Sequence, residues 1–201
     1  YPSTYNFHES DDYVDYTDDI YVGYRYFETV PGAADNVNYP FGFGLSYTRF
    51  SIAEPEVSVE GDEIAVRTVV TNAGDVAGKE VVQVYFAAPQ GKLGKPARQL
   101  AGWQKTRKLL PGEAQAVEIR FPIGQMASYD DLGKVQKSAW VLEAGEYRFF
   151  VGTDVRAAKP ADFTWVLEAN RIVAQLTARM TPTQLKRRMR SDGSYEPLPL
   201  G

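Results

Sequence analysis

Between residues 57 and 70, apolar side chains fall at every second position. Val57 and Val59, then Ile64, Val66, Thr68 and Val70, alternate with polar neighbours, and Gly61-Asp62 separates the two runs. A period of two turns one face of a pleated strand inward and the other outward. The stretch therefore predicts two half-buried strands joined by a turn. The alternation returns over 116–121, where Val117, Ile119 and Phe121 share a face. Residues 81–86 are apolar and β-prone throughout, and further strands are predicted over 99–109, 140–142, 147–151 and 163–167. Turn residues separate them at 72–75, 111–113 and 143–146. These make roughly seven or eight short strands at the spacing an antiparallel β-sandwich needs. No strand–helix alternation is present, so a parallel sheet is not expected.

The flanks break the pattern. Residues 1–46 have no period but many rings: Tyr5, Phe7, Tyr13, Tyr16, Tyr21, Tyr24, Tyr26, Phe27, and the turn Pro40-Phe41-Gly42-Phe43-Gly44. Rings left in water would form an adhesive patch. An irregular hook lying along one face of the sandwich, or along another domain, is expected. At the other flank Thr181, Pro182 and Gln184 read as a helix start, with Leu185 and Met189 on one face and Gly193 as the stop. That predicts a short C-terminal helix near 181–190, followed by an extended linker or docking strand. The chain thus divides into a hook (1–46), a β-sandwich (47–170) and a connector (171–201).

Charge and composition narrow the partners. The 201 residues carry a net charge of -4. Within residues 1–45, eight acidic groups face one base, Arg25. An acidic leader repels nucleic acid, and the basic cluster Lys186, Arg187, Arg188, Arg190 is a single helix end, so no nucleic-acid partner is expected. No apolar run approaches the roughly 20 residues of a membrane helix. Cysteine is absent, which removes disulfides, thiolate chemistry and cysteine-based zinc sites. No signal peptide is visible, and a start at Tyr1 reads as part of a longer protein. The compartment stays open between cytoplasmic and exported, with a soluble chain expected.

Candidate chemistry is sparse. His8 is the single histidine and no nucleophile elbow accompanies it. Asp11-Asp12, Asp18-Asp19 and Asp130-Asp131 are adjacent pairs that point to opposite faces of extended chain and do not fit a calcium loop. No cofactor or metal is expected. No carboxylate pair within 47–170 is singled out for acid–base work. Trp103, Trp140 and Trp165 sit in strand contexts that predict burial, with Trp140 between the sheets on a strand beside that of Tyr147.

Short motifs add a resemblance. Tyr-Val-Gly-Tyr-Arg-Tyr-Phe at 21–27 and Tyr-Pro-Phe-Gly-Phe-Gly-Leu-Ser-Tyr-Thr at 39–48 resemble the end of the α/β sandwich domain of family 3 glycoside hydrolases, a family dominated by β-glucosidases. The run 71–85, then 98–105 with 110–113, then 128–130, 143–147 and 151–152, resembles in order that family's fibronectin-type-III-like domain. The likeness covers about residues 20–155. It implies a fibronectin-III/immunoglobulin-like sandwich that packs against two catalytic domains performing retaining hydrolysis of β-glycosides. The family nucleophile, often in Ser-Asp-Trp on a barrel, has no counterpart here: Ser191-Asp192-Gly193 departs from it. The acid/base lies ahead of the hook, so no catalytic residue is transferred and this chain alone is not expected to be an enzyme.

The expected role is therefore accessory. Its partners are the α/β sandwich and barrel of a parent enzyme, which alone would meet the β-glycoside. Tyr24, Arg25, Tyr26, Tyr39, Phe41 and Phe43 are the substrate-adjacent candidates. The C-terminal helix and its proline-spaced tail suggest a rearranged parent in which the barrel follows this sandwich. The competing reading is an independent Ig-like carbohydrate-binding or adhesion module.

Overall fold

The computed structural model describes residues 11–12, 19–179 and 186–198. The strands are β1 (Phe50–Ile52), β2 (Glu56–Glu60), β3 (Glu63–Asn72), β4 (Val81–Ala87), β5 (Gln99–Lys105), β6 (Ala114–Pro122), β7 (Ser128–Asp130), β8 (Ala139–Leu142), β9 (Gly145–Gly152), β10 (Lys159–Leu167), β11 (Arg171–Gln175), β12 (Arg187–Met189) and β13 (Tyr195–Pro197). All pairings are antiparallel. In the first sheet β3 pairs with β1 and β2 along one edge and with β6 along the other; the second runs β10-β9-β4-β5.

The two sheets face each other through apolar side chains; those of the first sheet are ones the alternation singles out, although Val59, also singled out, is exposed. Ile64, Val66, Val70, Val117, Ile119 and Phe121 come from the first sheet, and Val82, Val84, Phe86, Tyr147, Phe149 and Val151 from the second. Each side chain of this size contributes about 1.5–3 kcal/mol when removed from water. Tyr147 also donates its hydroxyl to the Glu143 carbonyl at 2.9 Å, so its polar tip is satisfied inside the core.

Strand β4 explains its own unbroken apolar run. Val82, Val84 and Phe86 face the core, while Tyr85 on the outer face is also fully buried. The outer face is covered by the incoming segment, where one helical turn, α1 (Tyr24–Phe27), sets Tyr24 against Tyr85, Leu100, Phe150, Val155 and Ala158. Within residues 19–46 the incoming segment thus covers part of one face of the second sheet. Its rings Tyr5, Phe7, Tyr13 and Tyr16, and also His8, lie outside the described residues.

Two expectations are corrected. The segment 187–189 is not helical: Arg187–Met189 is a strand that pairs with Tyr195–Pro197 around a turn in which Gly193 has φ +83. Thr181, Pro182, Gln184 and Leu185 lie outside the described residues. Arg188 holds the strand in place by reaching back to the sandwich, an override that helix propensity does not register. Trp140, secondly, is not between the sheets. Its strand β8 pairs with β7 and β11, not with β9, and the pleat sends Ala139 and Val141 inward and Trp140 outward, 42% exposed. Trp103, on edge strand β5, is likewise outward at 63%. Trp165 alone of the three packs against the core, on Tyr147 with ring centroids 5.0 Å apart.

Candidate functional site

The incoming segment crosses the outer face of the second sheet and leaves two candidate surfaces. The first is built on Gln83, which faces outward from β4. Tyr85 donates its hydroxyl to Gln83 Oε1 at 2.5 Å, and Gln83 Nε2 donates to the carbonyls of Thr153 at 2.5 Å and Gly42 at 3.3 Å. Gly42 has φ +89, and a Cβ there would collide with the Gln83 amide. Only glycine meets both demands. The flanking Phe41 stacks on Tyr24 at 4.3 Å, and the Leu100 N–H donates to the Tyr24 hydroxyl at 2.8 Å. Burial pushes the Tyr24 phenol above its ordinary pKa.

Beyond this anchor the segment stands away from the sandwich. Tyr39 and Phe43 stack on each other at 5.0 Å, and Tyr39 is 70% exposed. Leu45 and Tyr47 follow at 93% and 96%. Large apolar or aromatic side chains at alternate positions 39, 41, 43, 45 and 47 are thus all exposed, an open row along the chain.

The second surface is a cavity of about 620 Å³. It lies among the incoming segment (Asp19, Tyr21, Arg25), the loop around Leu93, Tyr129 on β7 with Trp140 on the adjacent β8, and the β12–β13 hairpin. An ion-pair network frames it. Arg188 donates to Glu196 at 2.6 Å and to Asp131 at 2.7 Å, and Lys134 reaches both Glu196 oxygens at 2.8 and 2.9 Å. Burial raises the Glu196 pKa, but the Lys134 and Arg188 hydrogen bonds outweigh it and hold the carboxyl at about 2. Tyr21, buried beneath this hairpin, is pushed up to about 12 by burial and hydrogen-bonds with Ser191.

Of the six sequence-derived candidates, Tyr24 and Phe41 form the anchor, and Tyr39 and Phe43 form the open pair. Arg25 lines the cavity instead. Tyr26 sits edge-on to Phe27 at 5.3 Å. The structure therefore splits the group between two surfaces. Sequence reasoning missed Gln83, whose only signal was a polar residue in an apolar strand. It also missed Lys95 and Glu143, a buried ion pair against the loop around Leu93, where Glu143 also accepts from the Lys92 N–H at 2.7 Å.

The carboxylates near the cavity are not arranged for glycoside cleavage, which needs a proton donor and a second carboxylate across one cleft. Glu196 and Asp131 are engaged by Arg188 and Lys134. Asp19 is raised by burial, and among the described residues lining the cavity no second carboxylate is free to pair with it. Asp130 accepts from the N–H groups of Gly133, Lys134, Val135 and Gln136 at 2.6–3.0 Å, so it staples a turn. Among the described residues no cluster of three or more potential ligands is placed to hold a metal.

Residues 80–155 match the fibronectin type III-like domain family. Over 99% of its length the chain is 57% identical to beta-glucosidase A of Butyrivibrio fibrisolvens, and over 100% it is 48% identical to a beta-glucosidase of Ruminococcus albus. The chain carries the fibronectin type III-like domain of family 3 glycoside hydrolases. In three dimensions this fibronectin-like chain superimposes on a beta-glucosidase of Paenibacillus barengoltzii with a TM-score of 0.88 and 45% identity over 98% of its residues. It spans about a quarter of these relatives: 26% and 21% of the first two, and 23% of the third.

Proposed function

We propose that the fibronectin-like chain is the non-catalytic accessory part of a β-glucosidase-like enzyme. It packs against and orients an α/β sandwich and a barrel that hydrolyse β-glycosides by the retaining mechanism. The observation that carries this reading is the open row Tyr39, Phe41, Phe43, Leu45, Tyr47. A contiguous apolar strip of this kind marks a surface that meets another protein surface. It projects from a segment pinned at Gly42, so whatever binds it is held in a fixed relation to the sandwich. Relatives about four times longer supply the natural occupant: the remaining domains of the same polypeptide.

The same reading divides the chain into a hook (1–46) that ends the α/β sandwich, the β-sandwich (47–170) and a connector (171–201), with β11 drawn back onto β8. It also brings Tyr24, Arg25, Tyr26, Tyr39, Phe41 and Phe43 toward the substrate cleft. Tyr39 and Phe43, stacked and open, are the pair best placed to extend to a sugar, and Tyr24 acts from beneath through Phe41.

The test is Leu45→Ser with Tyr47→Ser in the full-length parent. The expected result is at least a tenfold fall in kcat for an aryl β-glucoside, because a displacement of about 1 Å can cost about 100-fold in rate. The unfolding of the 201-residue chain should stay unchanged. Undiminished kcat in the parent would sink the interface. The exposed Trp103 and Trp140 favour a second reading, an Ig-like carbohydrate-binding module.

A further inference from the structure

The cavity combines three features that packing alone does not require. Its wall presents an open aromatic pair, Tyr129 and Trp140, with ring centroids 5.6 Å apart. It holds two cations, Arg25 and Lys92, that have no carboxylate partner among the described residues. Gln99 adds an amide nearby. The frame is also rigid, since Arg188 ties Glu196, Asp131 and the Leu93 carbonyl together. A site whose walls are fixed before a ligand arrives loses less entropy on binding.

We propose that this cavity is an accessory saccharide site, distinct from the open row, that takes a short neutral gluco-oligosaccharide. The volume suits it, since small-molecule sites run to about 300–1,000 Å³. A pyranose has an apolar C–H face and a rim of hydroxyls. The Trp140 indole takes the face, and Arg25, Lys92 and Gln99 donate to the hydroxyl oxygens. The choice of glucose as the sugar rests on the β-glucosidase reading above; the cavity chemistry does not. A protein segment of the parent is the less favoured occupant. The uncommitted groups of the wall are mostly donors that suit a ring of hydroxyl acceptors, and among the described residues no exposed apolar row lies beside them.

The experiment titrates the 201-residue chain with cellotetraose, followed by tryptophan fluorescence and calorimetry. Saturable binding with a fluorescence change is expected. Trp140→Ala should weaken it at least tenfold and Arg25→Ala several-fold, while Trp103→Ala leaves it unchanged. Circular dichroism establishes that each variant is folded, and Trp140→Phe should restore part of the affinity. Absence of saturable binding overturns the proposal, as does binding that survives both Trp140→Ala and Arg25→Ala. In the full-length protein, acrylamide should quench Trp140; a shielded indole there would mean that the parent's own chain fills the cavity, which also overturns it. Loss of β-glucosidase activity on altering Leu45 and Tyr47 bears on the interface reading alone, so the two can fail separately.

Discussion

Gly42 lies over the side-chain amide of Gln83: its carbonyl accepts from Gln83 Nε2 at 3.3 Å, its φ is +89, and the same amide leaves no room for a Cβ. One contact therefore joins the incoming segment to the middle of β4. Gly42→Ala meets both the conformational cost and the collision, so it should destabilise by more than about 1 kcal/mol. Hydrogen exchange of residues 20–46 is the measurement. It should accelerate there and remain slow in β3 and β6.

Lys95 and Glu143 are both buried and paired. Removing one partner strands the other charge. Lys95→Met should cost about 3–5 kcal/mol, and adding Glu143→Leu should recover much of it. A denaturant titration of the two single variants and the double variant decides. If the double variant is as unstable as the singles combined, the pair is not acting as a unit.

Acid should loosen the chain by way of these carboxylates. Burial raises the Glu143 pKa, but Lys95 and the Lys92 and Leu93 N–H groups outweigh it and leave it lowered; Glu196 is held at about 2. A lowered folded pKa gives stability that is fully present above the unfolded value of 4.5 and is lost as pH falls through the folded value. Melting temperature should therefore be flat near neutral pH and fall below about pH 5. Glu196→Gln should remove part of that slope.

Trp140 and Phe149 separate the surface from the core. Phe149→Ala empties a fully buried site and should cost about 3–5 kcal/mol. Trp140→Ala removes a half-open ring and should cost under about 1 kcal/mol. Comparable losses from the two in urea would contradict the outward placement of β8.

The isolated chain should not hydrolyse an aryl β-glucoside, since Asp131 and Glu196, the described carboxylates beside Asp19, are tied in ion pairs. Turnover that survives repurification and disappears on altering one of these acids would reverse this.

The sandwich was legible because two of its strands obey a period of two. Val117, Ile119 and Phe121 lie inward as the alternation requires. The strands that escaped were short: β1, β7 and β11 have three to five residues, too few for a period to declare itself. Arg187–Met189 escaped for another reason. Local propensity favours a helix there, and the strand exists because Arg188 finds Asp131 and Glu196, residues distant in sequence from it or across a hairpin. Trp140 misled because hydrophobicity indicates burial without saying which sheet a strand will join. The open row from Tyr39 to Tyr47 was readable as rings, but its anchor was not, because Gln83 looks like an ordinary polar interruption until Gly42 is seen above it.

The incoming and outgoing segments meet beside the cavity. A Cβ on Gly193 would stand 3.0 Å from Val30, and Tyr21 reaches Ser191. Joined in this way, two stretches far apart along the chain brace each other, so a cut or substitution that loosens one should be felt at the other.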